Sequence, residues 1–305
     1  MAILVIKHSA LGDMILALPQ FSAIRRHHPD EHLVLLTTAP YVGLLQASGC
    51  FDEIWTDPRP KLWNLPAVWQ LLGRIRSAGF SRIYDLQGSQ RTRWYYRLLG
   101  SPRSLWVGNA RGCDHYIPNP TGIMHVSELK RRQLALVGIP DPGLPDLGFL
   151  QADLSRYRLP AHFALLVPGG SPHRPAKRWP AAAFATLARH LLSMGVTPVL
   201  IGQAAEQEAI DAIRSGCPQA ISLCGQTSIA EIASLARAGC VAVGNDTGPM
   251  HIIAASGCPS LVLYSAESDP RKVSPRGEWV HVLQKPDLQQ LGAEDVIPLL
   301  PPLRA

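Results

Sequence analysis
The sequence is poor in several features that would have named a function class at once. Within its 305 residues, no apolar run approaches the ~18–20 residues that a membrane-spanning helix needs. The six cysteines, Cys50, Cys113, Cys217, Cys224, Cys240 and Cys258, are scattered. None forms a C-x-x-C pair or joins histidine at ligand spacing, so free thiols in a reducing compartment are expected rather than metal ligands or disulfides. No G-x-G-x-x-G follows a predicted strand, which argues against a dinucleotide fingerprint. No recognition helix or aromatic–basic repeat is visible, so nucleic acid is not an expected partner. Met1 to Lys7 is a short β-like run, too short and wrongly flanked for a signal peptide. A cytoplasmic protein is the resulting expectation.

What the chain has is a soluble globular composition, 47% hydrophobic and 17% charged, with a formal net charge of +6. That surplus suits an anionic partner without choosing among nucleic acid, glycan and membrane surface. The length fits two domains of roughly 150 residues each. Short apolar strands, such as Ile3 to Ile6, Leu33 to Thr37 and Arg82 to Leu86, alternate with helical stretches at Met14 to His27 and Leu65 to Ser77. A proline-rich stretch from Ile139 to Pro160 breaks the alternation and marks a domain junction. The pattern restarts with strands Phe163 to Val167, Pro198 to Ile201, Ala220 to Leu223, Cys240 to Val243 and Ser260 to Tyr264, again separated by helices. Two doubly wound α/β domains in tandem follow, with ligands expected beyond the carboxyl ends of the strands, in the cleft between the domains.

Three loops carry chemistry. In Lys7-His8-Ser9-Ala10-Leu11-Gly12-Asp13, a carboxylate sits where a strand turns into a helix. Asp13 reads either as a helix cap or as a catalytic group. In Val167-Pro168-Gly169-Gly170-Ser171 through Lys177-Arg178-Trp179-Pro180, glycines allow close backbone approach and two cations precede a helix start, a combination suited to a diphosphate. In Val243-Gly244-Asn245-Asp246-Thr247-Gly248-Pro249-Met250-His251, a strand runs through a polar turn into a helix. The first amides of that helix lack internal partners and favour an anion.

Together the three loops resemble glycosyltransferase family 9, the bacterial heptosyltransferases of lipopolysaccharide assembly. The first is similar to the family's S-x-x-G-D segment, the second to its P-G-x…K-x-W-P loop and the third to its D-[TS]-G-x-x-H signature. Asp85-Leu86-Gln87-Gly88 and Thr227-Ser228-Ile229-Ala230-Glu231 resemble lesser family features. The resemblance implies a GT-B fold of two Rossmann-like domains facing a central cleft. Residues 1–150 would bind the acceptor and 160–285 the nucleotide sugar, while 286–305 would cross back as a helix to the N-domain. It implies an inverting, metal-independent transfer of heptose or a related sugar from an ADP-sugar to a hydroxyl of a lipopolysaccharide-core or similar glycan.

By the same resemblance Asp13 is the general base. Gly170, Ser171, Lys177, Glu206, Gly225, Thr227, Asp246, Thr247, Gly248 and His251 would bind the donor. Ser9, Gly12, Arg59, Lys61, Gln87, Arg91 and Arg93 would meet the acceptor, an anionic lipid-linked molecule or glycan. No cofactor or metal is expected, and the chain contains no Asp-x-Asp, the pattern typical of metal-dependent sugar transferases. Peripheral contact with the cytoplasmic face of the inner membrane is compatible with this reading. The alternatives are a nucleotide-sugar 2-epimerase of GT-B fold and a non-catalytic sugar-nucleotide-binding assembly protein.

Overall fold
Strands that are apolar along their whole length can only be stable with both faces covered, and Ile3, Leu4, Val5 and Ile6 are each at most 1% exposed. The computed structural model describes all residues except 62, 101–103, 171–173, 302, 304 and 305. It divides into two units, Met1–Gly143 and Leu144–Ala305. The division falls within the proline-rich stretch.

The first unit holds β1 (Ala2–Ile6), β2 (His32–Thr37), β3 (Glu53–Thr56), β4 (Arg82–Asp85), β5 (Leu105–Gly108) and β6 (His115–Tyr116). They form one sheet in the order β3-β2-β1-β4-β5-β6, and all its pairs are parallel. The second unit holds β7 (Phe163–Val167), β8 (Thr197–Leu200), β9 (Ile221–Ser222), β10 (Val241–Asn245), β11 (Ser260–Tyr264) and β12 (Val280–Gln284). Its sheet, β12-β11-β10-β7-β8-β9, is also parallel and repeats the order of the first. In each unit the order reverses beside the first strand. The connections there leave to opposite faces of the sheet and open a crevice at the carboxyl ends. The loops after β1 and β4, and those after β7 and β10, border these two crevices.

Local chemistry explains several elements. The helix expected over Met14 to His27 is two helices, Leu11–Ile15 and Leu18–His27. Pro19 lacks an N–H and its ring is tolerated only in a first turn, so the helix restarts at Leu18. The segment Ser228 to Glu231 is a reciprocal cap: the Glu231 N–H donates to Ser228 Oγ at 3.2 Å and the Ser228 N–H to Glu231 Oε2 at 2.8 Å. Two orphan amides are thereby satisfied, which starts the helix Ile229–Ala238. Strand β10 extends two residues beyond the apolar run, through Gly244 and Asn245, because both backbones pair with β11. At the carboxyl end, Ala293 and Val296 of the helix Ala293–Val296, expected on the N-domain, are buried in the core of the second unit with Phe184 and Leu187. Among the described residues no helix is long and apolar enough to cross a membrane.

Candidate functional site
In the second unit the crevice is organised by Asn245, which is fully buried at the end of β10. Its Nδ2 donates to the carbonyls of Pro168 and Gly169 at 2.9 and 3.0 Å, and its Oδ1 accepts the Trp179 N–H at 3.1 Å. One amide thus ties the strand end to both arms of the glycine–lysine loop. Trp179, also buried, anchors that loop from below by donating Nε1–H to the Leu291 carbonyl at 2.7 Å.

With the loop so held, Lys177 Nζ meets Asp246 Oδ2 at 2.7 Å, the two side chains being 12% and 11% exposed. Arg178 donates Nη2–H to the Gly170 carbonyl at 2.8 Å. Beside the pair begins the helix Gly248–Ala255. Thr247 does not cap this helix; its hydroxyl donates to the Asn245 carbonyl at 3.2 Å. The Tyr264 phenol at the end of β11 is pushed well up by burial and then by the Asp246 charge, so it stays protonated.

The other expected donor residues lie around this core. His251 is buried on the helix. Glu206 accepts the Gln203 N–H at 2.8 Å, and its side chain lies where a Cβ on Gly169 would be 3.1 Å from Glu206 Cγ. Gly225, at φ +68°, donates its N–H to the Gly202 carbonyl at 2.8 Å, and Thr227 is half-buried ahead of the Ser228 cap. Ser171 lies outside the described residues.

The first unit builds a second polar centre at the ends of β1 and β4. Asp13 is half-buried in the short helix that also holds Gly12, and its Oδ2 accepts the Ala10 N–H at 3.1 Å. The capping role therefore has a structural basis, while Oδ1 makes no hydrogen bond among the described residues. Gln87 Oε1 accepts the N–H groups of His8 and Ser9 at 2.9 and 3.5 Å, which joins the β1 and β4 loops. His8 Nε2 lies 2.9 Å from Asp57 Oδ2, with both side chains at most 2% exposed. Tyr95 donates to the same oxygen at 2.8 Å and the Arg59 N–H to Oδ1 at 2.7 Å. Burial pushes the Asp57 carboxyl up, but hydrogen bonds and the nearby His8 hold it below its ordinary value.

Arg91 donates to the Pro60 carbonyl at 2.8 Å, so the Arg59–Lys61 loop is held at Arg59 and at Pro60. Lys61 lies 5.1 Å from the ring centroid of Trp63. Arg93 donates Nε–H to the Ser89 carbonyl at 3.4 Å.

Asp85, in view only as part of a family-like segment, and Gln133 and Lys130, which the sequence did not single out, complete this centre. Asp85 is fully buried, its Oδ1 accepting the Gly88 N–H at 2.8 Å. Gln133, also fully buried, donates to the carbonyls of Asp85 and Val107 at 2.9 and 3.0 Å and accepts from Lys130 Nζ at 3.0 Å. Lys130 is buried on the helix Val126–Ala135, and helical spacing alone does not show that it turns inward.

Burial lowers the Lys130 ammonium to about 8, with Asp85 opposing the shift, Lys7 adding to it and Asp13 opposing it more weakly. The unfolded chain holds this proton up to its ordinary 10.5. Between those values the unfolded state binds more protons, so the group's contribution to stability rises with pH from about 8 to about 10. Lys130→Met is expected to flatten the rise, read as melting temperature against pH for the two proteins. Parallel curves would remove the basis for this assignment.

Comparisons with known proteins bear on the fold and the family. The structure of the Escherichia coli ADP-heptose lipopolysaccharide heptosyltransferase II superposes with a TM-score of 0.76, covering 98% of this chain and 97% of that one at 23% identity. Two parallel-sheet α/β domains of this order place the fold in the GT-B class of glycosyltransferases. A sequence model of glycosyltransferase family 9 (heptosyltransferase) matches residues 68–295. The lipopolysaccharide heptosyltransferase 2 of E. coli K12 is 36% identical over 297 residues, 88% of this chain and 84% of that protein. The chain therefore belongs to glycosyltransferase family 9. A shorter match, to the lipooligosaccharide heptosyltransferase 2 of Haemophilus influenzae, is 34% identical over 120 residues and spans 38% of this chain but only 34% of that relative.

Proposed function
We propose that this enzyme transfers a heptose from an ADP-sugar to a hydroxyl of a lipopolysaccharide-core glycan, with inversion and without a metal ion. The observation that carries the reading is the Lys177–Asp246 pair, seated by Asn245 beside an uncapped helix start. A fixed cation and outward-facing amides together stabilise the charge that develops on a diphosphate leaving group, and their dipoles need no reorganisation as it departs.

Asp246 holds Lys177 in one rotamer and limits the penalty of its burial until substrate arrives. Asp13 accepts the proton of the attacking hydroxyl. Its Oδ2 is already committed to the Ala10 amide, which fixes the carboxylate plane and leaves Oδ1 for the acceptor. Arg59, Lys61, Gln87, Arg91 and Arg93 meet an anionic acceptor. Exposed Trp63, Leu65 and Trp69 next to Lys61 support peripheral contact of that unit with a membrane surface.

The test is calorimetric binding of ADP-heptose, UDP-sugars and GDP-sugars, followed by transfer to core acceptors with and without EDTA. Selective ADP-heptose binding and EDTA-insensitive transfer to a product of inverted anomeric configuration are expected. Lys177→Ala should weaken ADP-heptose binding by about 10–100-fold, the scale of one charge-assisted hydrogen bond. Selective binding of a UDP-sugar would sink the proposal in favour of the epimerase reading.

A further inference from the structure
A cavity of about 430 Å³ opens in the first unit, walled by Arg93, Arg97, Asn109, Arg111, Tyr116 and Asn119. These residues follow β4 and β5 or close β6. Because the sheet is parallel, the cavity opens at the same carboxyl edge that carries Asp13 after β1. Arg93 and Arg97 lie four residues apart on the helix Gln90–Leu99 and so share one face, and Arg111 reaches the cavity from the turn after β5.

Among the described residues no carboxylate lies within ion-pair reach of these three guanidinium groups. The acid in the same segment, Asp114, accepts the Trp106 N–H at 2.8 Å instead. Three permanent like charges around one hollow repel each other, and an anion relieves that repulsion. Arginine forks match the oxygens of a phosphate two at a time. Asn109 is held in the wall by donating to the Gly88 carbonyl at 2.8 Å and to Asn119 Oδ1 at 3.2 Å. With Tyr116, these amides add neutral hydrogen-bonding groups of the kind that fix hydroxyls. The volume suits one small polar ring rather than a polymer strand.

We propose that this pocket binds a phosphorylated sugar, with the phosphomonoester held by Arg93, Arg97 and Arg111 and the hydroxyls by Asn109, Asn119 and Tyr116. The identity of the carrier rests on the proposed function: the phosphate belongs to the acceptor glycan, at a subsite beyond the reacting hydroxyl.

Two arms test this. In the first, calorimetry with glucose 1-phosphate, inorganic phosphate and glucose is run on the wild-type protein and on Arg97→Gln/Arg111→Gln. The sugar phosphate should bind wild type best, glucose should not bind, and the double variant should lose at least tenfold in affinity. Arg97→Lys/Arg111→Lys should fall between, since it keeps the charge and loses the forks. Melting curves of each variant establish that it is folded.

In the second arm, transfer from ADP-heptose is measured to a phosphorylated acceptor and to the same acceptor after phosphatase treatment. The double glutamine variant should raise KM for the phosphorylated acceptor at least tenfold, with much less change in kcat, and leave KM for the dephosphorylated one near wild type. Equal KM for the two acceptors in wild type, together with tight sugar-phosphate binding, would support the pocket and assign it to a free sugar phosphate. Absence of sugar-phosphate binding, or equal binding by wild type and the double glutamine variant, would overturn it. Should ADP-heptose prove not to be a donor at all, the transfer reaction falls while the first arm still decides the pocket.

Discussion

Asp13→Asn is expected to lower kcat by about 10²–10⁴-fold, the usual worth of a positioned general base, while ADP-heptose affinity stays near wild type. The substitution is chosen to separate the two roles of this residue. An asparagine oxygen can still accept the Ala10 N–H that Asp13 Oδ2 accepts at 3.1 Å, so the turn into the helix Leu11–Ile15 survives. Asparagine caps and turns about as well as aspartate, so stability should change by less than about 1 kcal/mol. An amide cannot take a proton from an attacking hydroxyl. Single-turnover rates at saturating donor, with melting curves alongside, are the measurements. If the variant turns over within about threefold of wild type, Asp13 is only a cap and the base must be sought elsewhere.

The second large effect is on architecture. A Cβ added at Gly244 would lie 2.7 Å from both Met250 Sδ and Val167 Cβ and 2.9 Å from the Val167 carbonyl oxygen. Val167 is on the neighbouring strand β7 and Met250 on the helix Gly248–Ala255, so no single flexible side chain can yield. Gly244→Ala should destabilise the second unit by about 2–4 kcal/mol, the upper range of core overpacking. It should also weaken donor binding, because Asn245 and Asp246 follow directly.

Gly43→Ala is the control. That helical position has nothing within 4 Å of the added carbon, and alanine there should be neutral or slightly stabilising. Thermal unfolding followed by calorimetry distinguishes them. A Gly244→Ala protein that melts with wild type would show that β7 and the helix Gly248–Ala255 can move apart at little cost.

Much of the candidate site was legible because its signals are local. A glycine pair before a lysine, a carboxylate at a strand-to-helix turn and Asp246-Thr247-Gly248 at a helix start all advertise themselves within a few residues. Pro19 shows how one overlooked local rule divides a helix that periodicity joins. Strands β3, β5, β6 and β12 escaped notice because they are short or partly exposed, so they lack the uninterrupted apolar signature of β1 or β7. Asn245 was in view inside the third loop, but its role was not. Nothing in a linear motif says that one amide will find Pro168, Gly169 and Trp179 at once.

By itself, then, the sequence determined the alternation of strands and helices, the two-domain α/β class, the family resemblance and the loops that carry chemistry. Each depends on side-chain period, turn residues or spacing within one short segment. Only the tertiary structure decided the strand order, which follows from the handed packing of crossovers onto twisted sheets. It also decided that His8, Asp57 and Tyr95 form one buried network, that Lys130 turns inward beside Asp85, and that Arg93, Arg97 and Arg111 surround a single cavity. Most of those charges are tens of residues apart in the chain. His8, Asp57, Lys130 and Asp85 are brought together by burial and the three arginines by convergence around one hollow, and both exist only once the sheet has brought the loop ends to one edge.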